Sequence, residues 1–138
     1  MITQNKVGDN EGLRVWLREH GINPTTQRVE IARAFFGRCV HLSAETVFRQ
    51  VNADCQRVSK ATVYNTLALF VEKGLIRQVV ADPTKIFYDS NTGPHHHFFD
   101  GTLTDIDAGG VRVSGLPPLP EGTTLEGVDV VVRLRHSD

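Results

Sequence analysis

The stretch SKATVYNTLALFVEKGLIRQVVADPTKIFYD, residues 59–89, decides how this chain is read. Ser59 can open a helix by accepting from the free N–H groups of its first turn, and Gly74 can close one just past the C-cap. Between them, at about 100° per residue, Val63, Leu67 and Phe70 share one stripe. Ala61, Asn65, Ala68 and Glu72 lie opposite, with Lys60 and Tyr64 on the flank. That outer face is small or hydrogen-bonding, which lets a helix sit deep in a DNA major groove; taken alone it is equally an ordinary amphipathic helix. Residues 75–80 and 85–89 then predict two strands joined by a turn at Ala81, Asp82, Pro83 and Thr84.

Upstream the pattern is helical throughout. Leu13, Trp16, Leu17 and His20 recur at helical spacing before Gly21. Pro24 and Thr25 open a second helix carrying Val29, Ala32, Phe35 and Phe36, which ends near Gly37. Ser43 is the expected N-cap of a third, with Ala44, Val47, Phe48 and Val51. Three helices and a hairpin, with one helix in front, is the order of a winged helix-turn-helix.

Downstream the character changes. Residues 95–99 and 103–107 flank Asp100-Gly101, a strong hairpin signal. Gly109-Gly110 marks another turn, 111–113 a further strand, Pro117, Pro118 and Pro120 a connection, and 128–135 a final strand. So small a domain has little core of its own, and an open apolar strand edge invites pairing. A second copy of the chain would cover it, and a two-fold dimer matches palindromic DNA half-sites.

His95, His96 and His97 begin one of these strands, and alternation sends His95 and His97 to one face. Imidazole nitrogens suit Zn²⁺, Fe²⁺ and Mn²⁺, and Asp89, Asp105 and Asp107 supply oxygens nearby. Register leaves two alternatives open. A two-residue loop at Asp100-Gly101 puts His96 opposite Asp105, whereas a three-residue loop, 100–102, puts His97 opposite Asp105 and His95 opposite Asp107. A metal hydrolase would need an open coordination position and a general base. The sequence offers neither a nucleophile motif nor a phosphate loop, so it reads as no enzyme.

The 138 residues, 40% of them apolar, suffice for one domain or two small ones. The formal net charge of -1 hides an asymmetry: residues 1–80 hold 11 Lys/Arg against 7 Asp/Glu, and residues 81–138 hold 4 against 9. A basic front half suits a polyanion, an acidic rear half oxygen ligands or a partner surface. Cys39 and Cys55 form no CxxC and read as small apolar residues rather than reactive thiols. With no long apolar run and a polar start, no membrane partner is expected and the default location is the cytoplasm.

The blocks GINPTTQRVEI, HLSAETVF, VSKATVYNTLALFVEKGLI, KIFYDSN and HHHFF, in this order, resemble the ferric uptake regulator family over most of the chain. NTGPHHHFFD and PLPEGTTLEGVDVVVRLR look most like its iron response regulator branch, whose members respond to haem. The resemblance implies an α+β protein. Its winged helix-turn-helix DNA-binding domain covers residues 1–84, and a small α/β dimerisation and sensing domain covers 85–138.

It also implies a cytoplasmic homodimer that represses transcription of iron-homeostasis genes from a palindromic promoter operator. A peroxide- or manganese-type sensing regulator of the same family is one alternative; a metal or haem sensor acting through protein partners is another. By resemblance Tyr64 packs on thymine methyl groups and Arg28 contacts DNA. Asn65 stands where many iron-sensing members have arginine, and where peroxide-sensing members have asparagine. Lys60 adds a phosphate contact, and Ser59 and Thr62 complete the DNA-binding set. His41, Asp89, His95, His97 and Asp105 match the regulatory site for iron, manganese or zinc, and haem, if bound, falls to His95, His96 and His97. The paired CxxC motifs that hold structural zinc in most members are missing.

Overall fold

The computed structural model describes residues 6–93, 95–107 and 109–137. Four helices come first: α1 (Lys6–Glu19), α2 (Thr26–Ala32), α3 (Ala44–Val51) and α4 (Lys60–Glu72), with a two-residue strand β1 (His41–Leu42) before α3. Five strands follow: β2 (Arg77–Asp82), β3 (Lys85–Asp89), β4 (His96–Phe99), β5 (Leu103–Ile106) and β6 (Val131–Arg133). The α+β class stands as expected.

The caps expected at Ser43, Ser59 and Gly74 are made, and Thr25, expected to open α2, caps it. The hydroxyls of Thr25, Ser43 and Ser59 accept from the N–H groups of Arg28, Thr46 and Thr62, satisfying donors that a helix N-terminus leaves open. At the far end of α4, Gly74 takes φ 77°. Gly74 N–H donates to Val71 O and Leu75 N–H to Phe70 O, the paired bonds of a Schellman stop. The stripe Val63, Leu67 and Phe70 is fully buried against Leu13, Leu17, Ile31, Phe35 and Val47. Burial of such side chains stabilises by about 1.5–3 kcal/mol each relative to exposure. The opposite face, Lys60, Ala61, Tyr64, Asn65, Ala68 and Glu72, is exposed throughout, as helical spacing requires.

Several expectations are corrected. Helix α2 stops at Ala32 rather than near Gly37. Ala34 and Phe35 donate three residues back, to Ile31 O and Ala32 O, in tighter turns that still bury Phe35. The wing's turn is shorter than the four residues expected, because Asp82 pairs with Lys85 and leaves Pro83-Thr84 between them. Strand β1 had no sequence signal, since two residues carry no periodicity; its register is His41 with Asp89 and Leu42 with Tyr88. The first sheet therefore runs β1-β3-β2, all antiparallel.

Two compact units divide between Thr92 and Gly93. A boundary at 84/85 would sever β3 from β2, to which it is hydrogen-bonded along its whole length. The second unit, expected as small α/β, holds strands alone among its described residues, in the order β5-β4-β6. Residues 111–113 form no ladder, and the strand expected over 128–135 is regular only at Val131–Arg133. Pro117, Pro118 and Pro120 lack the N–H that a ladder needs, so the segment before β6 is irregular. Strand β6 lies parallel to β4, held further by Leu134 N–H to Phe99 O and Val130 N–H to His96 Nδ1. Both cysteines are exposed rather than apolar filling; Cys55 Sγ accepts from Arg57 Nε at 3.4 Å.

Candidate metal centre and nucleic-acid face

In the first unit, pairing of β1 with β3 sets His41 beside Asp89, with Nε2 3.4 Å from Oδ2. Asp89 is 1% exposed, and its other oxygen accepts from Asn91 N–H at 2.8 Å. A carboxylate so deeply buried needs a charged or hydrogen-bonded partner. The second unit makes its own cluster. A three-residue loop at 100–102 pairs His97 with Asp105, resolving the open register. His95 departs from that alternative: it lies outside the strand and turns to Asp105, not to Asp107.

Asp105 Oδ1 is 3.2 Å from His95 Nε2 and 3.3 Å from His97 Nε2, and the two imidazole rings stand 4.5 Å apart. His95 Nδ1 lies 2.8 Å from Gly93 O, which can only accept, so Nδ1 is the donor there and Nε2 is the nitrogen left to meet an ion. His97 is completely buried. Nitrogen and oxygen donors sharing a tetrahedral ion at about 2.0–2.1 Å sit roughly 3.3 Å from one another. The observed 3.2–3.4 Å separations are of that size, longer than most good N–H···O bonds. Each cluster, within its own unit, thus offers donors of the type and spacing that suit a divalent ion.

His96 separates from the other two. Its Nδ1 accepts the Val130 N–H at 3.0 Å and so serves the β6 ladder. A cavity of about 210 Å³ beside His95 and His96, lined also by Ile106, Asp107, Val111 and Val128, is below the ~300–1,000 Å³ usual for drug-sized ligands. Its size suits an ion or a very small molecule better than a macrocycle.

A model of the ferric uptake regulator family matches residues 19–108. The chain belongs to this family. The peroxide-responsive repressor PerR of Staphylococcus aureus is 31% identical over 81 residues, which are 59% of this family member and 55% of that repressor. The match therefore spans little more than half the curated relative's length. In fold, the ferric uptake regulator of Pseudomonas aeruginosa with manganese aligns at TM-score 0.66 and 23% identity, over 91% of this chain and 98% of its own. The ferric uptake regulator of Vibrio cholerae aligns at 0.65 and 16%, over 89% and 98%.

In this ferric uptake regulator homologue, all six residues that the sequence offers as DNA contacts lie in the helical unit. Ser59, Lys60, Tyr64 and Asn65 are exposed at the start and outer face of α4, and Thr62 and Arg28 are half-buried. Ser59 and Thr62 are already engaged with each other through the cap. Arg28 Nη1 donates to Asn23 O at 3.0 Å. Lys60 Nζ lies 3.4 Å from a Glu45 carboxylate oxygen and 5.6 Å from the centre of the Phe48 ring. Sequence reading missed these partners, because Glu45 and Phe48 lie fifteen and twelve positions away on α3. It also missed Asn91 and Gly93, which support the ligands through backbone groups that no side-chain pattern reveals.

Proposed function

We propose that the chain is a metal-responsive, DNA-binding transcription regulator. Helix α4 would read a palindromic operator as part of a homodimer, and His41, Asp89, His95, His97 and Asp105 would together hold one divalent ion. The observation that carries this reading is the pair of half-sites: each unit presents imidazole and carboxylate donors at metal-like spacing. An ion held by donors from both units would fix how α4 of each copy meets the duplex, and its occupancy would then control DNA affinity by favouring one arrangement. Both outer edges of the second sheet are unpaired among the described residues, and Leu116, Leu119, Leu125 and Leu134 are exposed, which favours a second copy as the partner.

The ion proposed is iron, manganese or zinc, and repression of iron-homeostasis genes is the first reading of its output. Asn65 and the similarity to peroxide-responsive repressors favour a second reading, a sensor that responds to peroxide through the same ion. One experiment addresses both. The purified chain, metal-free or loaded with Mn²⁺, Fe²⁺ or Zn²⁺, is used to enrich duplexes from a random pool, and the enriched palindrome is titrated by anisotropy. Metal is expected to tighten binding by tenfold or more. Brief peroxide treatment of the Fe²⁺ sample alone should reverse this only under the second reading. Equal affinity of every form for enriched and random DNA would overturn the proposal.

A further inference from the structure

The segment between α3 and α4 has no regular structure, and Ala53, Asp54, Cys55, Gln56 and Arg57 are all exposed. Apolar packing does not shape it before Val58, which is 2% exposed. Exposed contacts of Arg57 with Glu30, Gln27 and Cys55 tie it to α2 and to itself, and its short hydrogen bonds converge on one side chain at the C-cap of α3. Asn52 Nδ2 donates to Phe48 O and to Val58 O, both at 3.0 Å. Its Oδ1 accepts from Arg57 N–H at 2.7 Å and Val58 N–H at 2.9 Å. These four bonds use two donors and two acceptors, the whole capacity of a carboxamide. They also fix its orientation, since a flipped amide would turn its oxygen on two carbonyls.

From this geometry we infer that Asn52 is a positioning residue for DNA reading: it sets the entry of α4 and hence the placement of Ser59, Lys60 and Tyr64 against the duplex. The inference rests on the DNA-binding reading above. Both backbone groups of Val58 are clamped, and the next residue is the N-cap of α4. The middle and end of α4 are held by Val63, Leu67 and Phe70 in the core, so the clamp governs chiefly the N-terminal turn. A base contact is lost when donor and acceptor separate by much more than about 3.2 Å. A shift of about 1 Å in that turn is therefore enough to erase sequence reading. Attraction to phosphates falls off far more gradually with distance and survives the shift. Asparagine is chemically specific here. Aspartate of the same size would set a carboxylate oxygen about 3.0 Å from two carbonyl oxygens, and alanine would leave the turn without its clamp.

The test uses the full chain and the palindrome that the wild type enriches from a random duplex pool, with a scrambled duplex as reference. Asn52→Ala and Asn52→Asp are expected to weaken palindrome binding at least tenfold and to change scrambled-duplex binding less than twofold, in samples whose melting is well above assay temperature. Their own enriched pools should lose the central consensus. Parallel loss on both duplexes, a variant that no longer folds, or an Asn52→Asp protein with wild-type selectivity would each overturn the inference. Failure of the wild type to enrich any sequence would be seen before a variant is made. It would remove the DNA-binding reading and this inference with it.

Discussion

Two imidazoles share one oxygen of Asp105, a residue 43% exposed, while His97 is fully buried beneath it. Converting that carboxylate to an amide removes charge from the ion's surroundings without opening a void. Asp105→Asn should therefore leave the melting temperature of the metal-free protein nearly unchanged. Metal affinity, read by competition with a chelating dye, should fall more than the roughly 10–100-fold typical for loss of an outer-shell partner. Unchanged affinity would show that Asp105 holds no metal. At the DNA face, Tyr64 is 47% exposed and has room to contact a base. Lys60, though ion-paired with Glu45 at 3.4 Å, is exposed enough to exchange that partner for a phosphate. Tyr64→Ala should lower discrimination between enriched and scrambled DNA by about 1–3 kcal/mol. Lys60→Ala should leave discrimination intact and reduce the salt slope by about one. Equal losses on both duplexes for Tyr64→Ala would refute its assignment.

At the level of elements, the helical unit was largely legible in sequence because its signals are local. Ser43, Ser59 and Gly74 each announce an end within one turn, and the stripe Val63, Leu67, Phe70 needs one helix to make sense. What was illegible depends on distant partners. Strand β1 exists because β3, more than forty residues later, accepts it, and β6 is regular only where β4 lies beside it. The hairpin register turned on a single loop residue, and Asp100 shows why three residues won: its Oδ1 accepts from Thr102 N–H and Thr102 Oγ1, closing the turn. The same Asp100 ties the end of the chain to that turn, with His136 Nε2 2.7 Å from Oδ2. The hydrogen bond from His136, then those from Thr102, lower the Asp100 pKa from its ordinary 3.8. A carboxyl whose pKa is depressed by folding contributes stability above its unfolded value, lost as pH falls through the folded one. The contact between His136 and Asp100 should accordingly be lost as pH falls below 3.8. His136→Ala should raise the Asp100 midpoint toward the ordinary value, followed by carboxyl NMR shifts; a midpoint indifferent to that substitution would mean that the contact is not made in solution.

For the whole molecule, the decisive question is whether the two half-sites act as one. Each unit alone offers few donors: His41 and Asp89 on one side, His95, His97 and Asp105 on the other. Two or three protein ligands hold a divalent ion weakly compared with four or five, so an ion shared as proposed would act as a cross-link between the units. The residues between Asp89 and His95, Ser90 to Pro94, are few, and Ser90 to Gly93 are small or polar, the kind at which proteases nick exposed chain. Metal should therefore slow cleavage within residues 90–94 by an order of magnitude or more, and a chelator should restore it. The discriminating step is a comparison of ligand variants from opposite units. His41→Ala and His97→Ala should abolish metal protection equally if one ion is shared. With separate ions, His41→Ala would leave the affinity at the second unit intact, and mixing its stoichiometry data with those of His97→Ala would give two independent sites. Shared binding predicts instead one ion per chain and the same collapse of affinity from either side.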